Sequence, residues 1–154
     1  MPKIHYYKRN NINTDEIIPA RYMNSDQEAE LAKHAMEDLD KDFINRVQDG
    51  DFIIAGSDFG CGSSREHAIW ALRGSGIKGV IAKSFARIFY RNAINNGFLA
   101  IECSEINEDL KSGDEIEINL EEGYFESDGK KYNFKPIPEF VKKIMDKGNL
   151  LNTI

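Results

Sequence analysis

Three short runs of this chain carry no charged side chain: Phe52-Ile53-Ile54-Ala55, Val80-Ile81-Ala82 and Leu99-Ala100-Ile101. Each is short for a helix. Each is also too uniformly apolar for a strand with one wet face, where polar and apolar residues would alternate. They suit strands buried on both sides. Between them lie two stretches with helical character, 64–72 and 85–95, the second with Phe85, Ile88, Phe89 and Ile94 as its apolar residues. Asn95-Asn96-Gly97 stops that second helix. A strand–helix–strand–helix–strand order demands parallel pairing, because the intervening helix returns the chain to the starting edge of the next strand.

The rest of the chain is arranged around this unit. Residues 3–8 predict a first strand, and Asn10 to Asp15 is polar and turn-rich. Pro19 keeps its segment out of a central strand or a helix interior. Ser25-Asp26 opens a predicted helix with Leu31, Ala35, Met36 and Leu39 as its apolar stripe. Phe43, Ile44 and Val47 predict a further short helix. After that the period changes. Residues 115–120 alternate, and 123–125 and 131–134 predict strands around the hairpin signal Ser127-Asp128-Gly129-Lys130. Pro138 opens a last predicted helix over 138–145. The expectation is one α/β domain over 1–154: a mixed parallel sheet with flanking helices and an added antiparallel β section.

Composition excludes several functions. A formal net charge of −6 argues against a nucleic-acid face. No apolar run approaches the roughly 20 residues of a membrane span. The first residues lack the apolar core of a signal peptide, so a cytoplasmic location is expected. Cys61 and Cys103 are the only cysteines, and the histidines are scattered at 5, 34 and 67. Neither a disulfide framework nor a metal site of the chain's own is expected.

The chemistry gathers at Gly60-Cys61-Gly62-Ser63-Ser64-Arg65-Glu66-His67, which joins a predicted strand to a predicted helix. Free N–H groups and the dipole at a helix start favour an anion. An arginine fork beside two hydroxyls suits a carboxylate. A structural reading competes: Ser63 and Glu66 have the spacing of a capping box. A dinucleotide site is excluded, because Arg65 replaces the last glycine of the fingerprint and no acidic residue stands near 80. Cys61 and His67 suggest a nucleophile with its base, but small-residue packing for one and hydrogen-bonded packing for the other explain them more simply. Arg87 and Arg91, four apart, share a helix side that faces solvent or a partner.

The loop from Gly60 to Ala68, with Ser84-Phe85-Ala86-Arg87-Ile88-Phe89, Asn95-Asn96-Gly97 and Asn13-Thr14-Asp15-Glu16-Ile17-Ile18-Pro19-Ala20-Arg21-Tyr22, resembles the swivel domain of the aconitase superfamily. The resemblance covers nearly the whole chain. Two of its motifs lie about 50 residues apart and in the right order. A free-standing chain of this kind is most similar to the small subunits of hydro-lyases that interconvert 2-isopropylmalate and 3-isopropylmalate. That resemblance implies Ser63 as the serine base, and Ser64 and Arg65 as the grip on a substrate carboxylate. It implies Asp15, with Thr14, as a further wall of the site. It also implies that Met23, Asn24 and Ser25 help to choose the substrate. A 4Fe–4S cluster is expected on a separate large subunit, in a heterodimer or heterotetramer, with no cofactor on this chain. The absence of an arginine after Tyr22 favours a small dicarboxylate over a tricarboxylate. Related substituted malates such as 2,3-dimethylmalate, or homoaconitate, are the alternatives, and a non-catalytic carboxylate-binding module is a second.

Overall fold

The computed structural model describes residues 2–22, 24–25, 27–63, 65–106, 109–137 and 139. Four strands, β1 (Ile4–Tyr7), β2 (Phe52–Ala55), β3 (Gly79–Ala82) and β4 (Leu99–Glu102), pair in that order and all in parallel. Every residue of β2 and β3 is buried, as their uniformly apolar sequences require. The strands advance in one direction across the sheet. Crossovers of one hand then deliver every connecting helix to the same face.

The core composition agrees. Ile53, Ala55, Val80 and Ala82 pack with apolar residues from the helices α1 (Thr14–Ile17), α2 (Glu28–Ala32), α3 (Phe43–Arg46), α4 (Glu66–Gly74) and α5 (Arg87–Asn95). Phe52, Ile54, Ile81, Leu99 and Ile101 alternate with them along the strands and so point to the opposite face. There they meet Phe125 and Tyr132 from a second, antiparallel sheet. That sheet comprises β5 (Glu117–Asn119), β6 (Tyr124–Ser127) and β7 (Lys130–Asn133). The antiparallel section is therefore a sheet of its own, laid on the parallel one. Its β6–β7 hairpin turns at Asp128 and Gly129, both with positive φ (51° and 76°), as the sequence signal demands.

Three local expectations are corrected. The helix expected from Ser25 to Leu39 is only α2, and its N-cap is Gln27. Beyond Ala32 the chain continues in i→i−3 turns, and Met36, with a left-handed φ of 61°, gives its N–H to the Ile17 carbonyl at 2.7 Å, so the helix does not resume. Leu31, Ala35 and Met36 are nonetheless buried, so the apolar stripe reported burial correctly and helix length incorrectly. The Ser63–Glu66 capping box does not form: Arg65 is the N-cap of α4, in extended conformation, without a side-chain cap bond. The box forms instead at Asn13 and Glu16, around α1, within the segment read as a turn. Ile88, assigned to the apolar side of α5, is 51% exposed. The helix predicted over 138–145 lies outside the described residues, apart from Glu139.

Candidate active site

The loops that follow the C-terminal ends of β2 and β3 build the site, where open parallel sheets generally bind their ligands. The loop after β2 is fastened to the N-terminal segment. The Gly60 N–H donates to the Ile12 carbonyl (2.7 Å), and the Thr14 N–H donates to the Cys61 carbonyl (2.9 Å). The Thr14 hydroxyl donates to the Ser63 carbonyl (3.0 Å). Phe59 forms a bridge with Phe85, which ties in the loop after β3. Gly60 shows why this loop needs glycine. Its φ is 85°, and a Cβ there would lie 2.3 Å from Cγ of the buried Phe89.

Helix α1 is held rigidly enough to place its residues. The Asn13 side chain accepts from the Glu16 N–H (3.0 Å), and Glu16 returns the bond to the Asn13 N–H (3.1 Å). Arg9 grips the Glu16 carboxylate with two nitrogens, at 2.5 and 2.9 Å. That pairing holds the Glu16 carboxyl below the usual carboxylate range.

These loops enclose a cleft of about 350 Å³. Its lining comes from Thr14, Ser63 and Arg65 of these loops and from Arg87, Ile88 and Phe89 of α5. Arg65 donates through Nη1 to Asp15 at the rim. Among the described residues Asp15 is its one side-chain partner, on Nη1, which leaves the remaining guanidinium donors for a ligand. The Ser63 residue is exposed, and its hydroxyl has no hydrogen-bond partner among the described residues. Thus Thr14, Asp15, Ser63 and Arg65 come together although they are distant in sequence. Asn24 and Ser25 follow the 3-10 turn Ala20–Tyr22 and do not line this cleft. Ser64 and Met23 lie outside the described residues. The sequence reading missed Arg87 and Ile88 as cleft walls, because only the tertiary position of α5 brings them there.

Other candidates recede. Burial pushes the Cys61 thiol up from its usual pKa, with the Asp58 charge adding to the effect, which is the reverse of an activated thiolate. The His67 ring lies 4.9 Å from that of Trp70. Arg21 is held by Glu37 (2.7 Å) and Asp38 (2.8 Å), which consumes its charge outside the cleft. Among the described residues no group of three His, Cys, Asp or Glu side chains could hold a metal ion, and no helix is long and apolar enough to cross a membrane.

Fold and cleft together define a parallel α/β domain with a cleft lined by serine, threonine and arginine at its strand ends. Residues 3–106 match the model of the aconitase C-terminal domain family. A 3-isopropylmalate dehydratase small subunit from Deinococcus radiodurans is 57% identical over 98% of this chain and 74% of its own length. Another from Caldicellulosiruptor bescii is 53% identical over 99% of this chain and 92% of its own. The crystal structure of 3-isopropylmalate dehydratase from Methanocaldococcus jannaschii superposes with a TM-score of 0.88 at 40% identity, covering 98% of this chain and 90% of that one. The chain belongs to the aconitase C-terminal domain family and, within it, to the family of 3-isopropylmalate dehydratase small subunits.

Proposed function

We propose that this chain supplies one half of a hydro-lyase active site that interconverts 2-isopropylmalate and 3-isopropylmalate by dehydration and rehydration. The observation that carries the proposal is the convergence of Thr14, Ser63 and Arg65 on one open cleft, with Asp15 at its rim. Relatives bearing the small-subunit name support a large-subunit partner.

The residues divide the work. Ser63 takes the proton from the carbon adjacent to the one that loses its hydroxyl; on rehydration a proton goes to the carbon that lost the hydroxyl, and water adds to the carbon that lost the proton. A serine alkoxide is unfavourable in water, so the neighbouring guanidinium and the polar loop must stabilise its negative form. Arg65 binds a substrate carboxylate with the donors Asp15 leaves free, and Asp15 orients the guanidinium as it does so. Ser64 shares that grip. Arg87 adds a second positive charge to the cleft lining, which suits a substrate with two carboxylates. Met23, Asn24 and Ser25 are proposed to contribute to substrate choice once the partner closes the site. Arg21, already neutralised by two acidic residues, offers nothing to a third carboxylate.

The two cysteines do not supply an iron–sulfur ligand set, and Cys103 is buried with its thiol donating to the Asn133 carbonyl. We assign the cluster to the large subunit as part of this proposal, where an open iron would act as Lewis acid toward the leaving hydroxyl. Anaerobic reconstitution with the cognate large subunit tests the reading. The pair is expected to interconvert the isopropylmalate isomers, with either chain alone inactive. Assays with 2,3-dimethylmalate and homoaconitate separate the alternative substrates. Inactivity of the pair on every substituted malate would overturn the proposal. Tight carboxylate binding by the isolated chain, measured by calorimetry and unaffected by the partner, would favour a non-catalytic module instead.

A further inference from the structure

The arginines of this acidic chain divide into two groups. Arg9, Arg21, Arg46, Arg65 and Arg73 each pair with a carboxylate. Arg87 and Arg91 have no ion-pair or hydrogen-bond partner among the described residues, and both are exposed. They stand four apart on α5 and so share one side of that helix. In a chain of net charge −6, carboxylates are plentiful, yet among the described residues none pairs with these two cations.

Ile88 belongs to the same surface. It is 51% exposed and is the one exposed large hydrophobic among the described residues. Beside it runs a groove of about 580 Å³ lined by Phe85, Arg87, Tyr90, Arg91, Ile94 and Glu102. Glu102 does not neutralise the arginines, because it pairs with Lys135 at 2.8 Å. Arginine and aromatic side chains around an apolar residue are the composition of an interface centre. Arg87 lines both this groove and the cleft that contains Ser63 and Arg65, so the two adjoin at that residue.

We propose that the outward face of α5, centred on Arg87, Ile88 and Arg91, docks the large subunit through a surface that presents carboxylates around an apolar socket. The proposal rests on the hydro-lyase reading above. Charge complementarity selects the occupant: Arg91, which lies outside the cleft, and Ile88 beside it suit an acidic counterpart that the chain itself does not provide among its described residues, with Arg87 at the join to the cleft. That join supplies the consequence, since a body seated on this face lies against the open side of the cleft. Docking and completion of the active site are then one event. Opposite charges across the contact also steer encounter, so association falls as salt rises.

The test measures binding of the intact chain to its cluster-loaded large subunit by titration calorimetry, alongside turnover. Arg91→Glu is expected to weaken association about 10-fold and flatten its salt dependence, and Ile88→Asp combined with Arg91→Glu about 100-fold or more. With saturating large subunit, Arg91→Glu is expected to restore wild-type kcat, because Arg91 lies outside the cleft. Wild-type affinity for the double variant, in a pair that turns over normally, would overturn the docking proposal and leave the hydro-lyase reading intact. Failure of the wild-type pair to bind or turn over would instead strike the hydro-lyase reading. Self-association of the isolated chain that Arg91→Glu abolishes would assign the face to a second copy and overturn the proposal. A fall of several degrees in the Tm of the isolated Ile88→Asp chain would show that its own residues already cover the face, with the same consequence.

Discussion

The two ends of the parallel strands treat polar side chains in opposite ways. Near the N-terminal ends, His5 and Asp51 are 2% and 3% exposed, and every bond is accounted for. Asp51 accepts from the Lys3 N–H (3.0 Å), the Gln48 N–H (3.0 Å) and His5 Nε2 (2.8 Å). His5 Nδ1 accepts from Arg46 Nε (3.3 Å), which fixes a neutral imidazole. Arg46 in turn binds Asp40 (2.6 Å), which also accepts from the Tyr7 hydroxyl (2.7 Å). At the C-terminal ends, and among the described residues, the exposed Ser63 has an unengaged hydroxyl, Arg65 pairs through Nη1 with Asp15 alone, and Arg87 has no partner. Saturated polar groups hold strands in place. Unsaturated ones wait for something to bind. The sheet thus carries a saturated network around His5 and Asp51, while at the opposite end the Arg9–Glu16–Asn13 bonds fasten α1 and leave the Ser63 hydroxyl and Arg87 without partners among the described residues.

Substitutions at the two ends should separate stability from activity. The largest stability loss is expected for Asp51→Ala, which removes the acceptor of three donors and should cost about 3–5 kcal/mol. Denaturant unfolding checks it, and a loss below about 1 kcal/mol would break the contrast. The same network predicts acid sensitivity. Burial lowers the His5 pKa below 6.5, so the unfolded chain binds its proton first as pH falls. Stability is therefore greatest above pH 6.5 and declines below it. Asp51, held below 3.8 against the opposing effect of its burial by bonds from Lys3, His5 and Gln48, adds a second loss at lower pH. A Tm profile from pH 8 to 3 should show both, with the lower component reduced in Asp51→Ala and the remainder carried by Glu16, Glu37 and Asp40, whose carboxyls are also held low.

Gly60→Ala should cost about 2–4 kcal/mol, because the added Cβ meets Phe89 and the positive φ is strained. It tests whether the functional end owes its shape to backbone geometry rather than to polar bonds. The smallest effect is expected for Arg65→Lys. An unchanged Tm with about a 10-fold loss in kcat/KM would follow from replacing a fork with a point charge. A wild-type kcat/KM would remove Arg65 from the carboxylate grip.

Elements that depend on burial were legible in the sequence. The runs at Phe52, Val80 and Leu99 announced strands covered on both faces, and Asp128-Gly129 announced its hairpin. Elements that depend on a distant bond were not. The Met36 N–H leaves the helical path for Ile17, and a periodic stripe cannot report that. Asn13 and Glu16 carried a capping signal that the surrounding polar residues obscured. At the site, the Gly60 to Arg65 loop was readable as an anion loop, and its union with Thr14 and Asp15 followed from the family resemblance. Arg87 and Ile88 were not assigned to the cleft, because helical periodicity gives a face and not what that face confronts.

The central claim is that the unsaturated end is half of a catalytic site with Ser63 as its base. Turnover by the reconstituted pair carrying Ser63→Ala tests it most directly. The account predicts a fall in kcat of about 10²–10⁴-fold, the usual range for a positioned proton-transfer group, with Tm and subunit association unchanged. Wild-type turnover in that variant would contradict it.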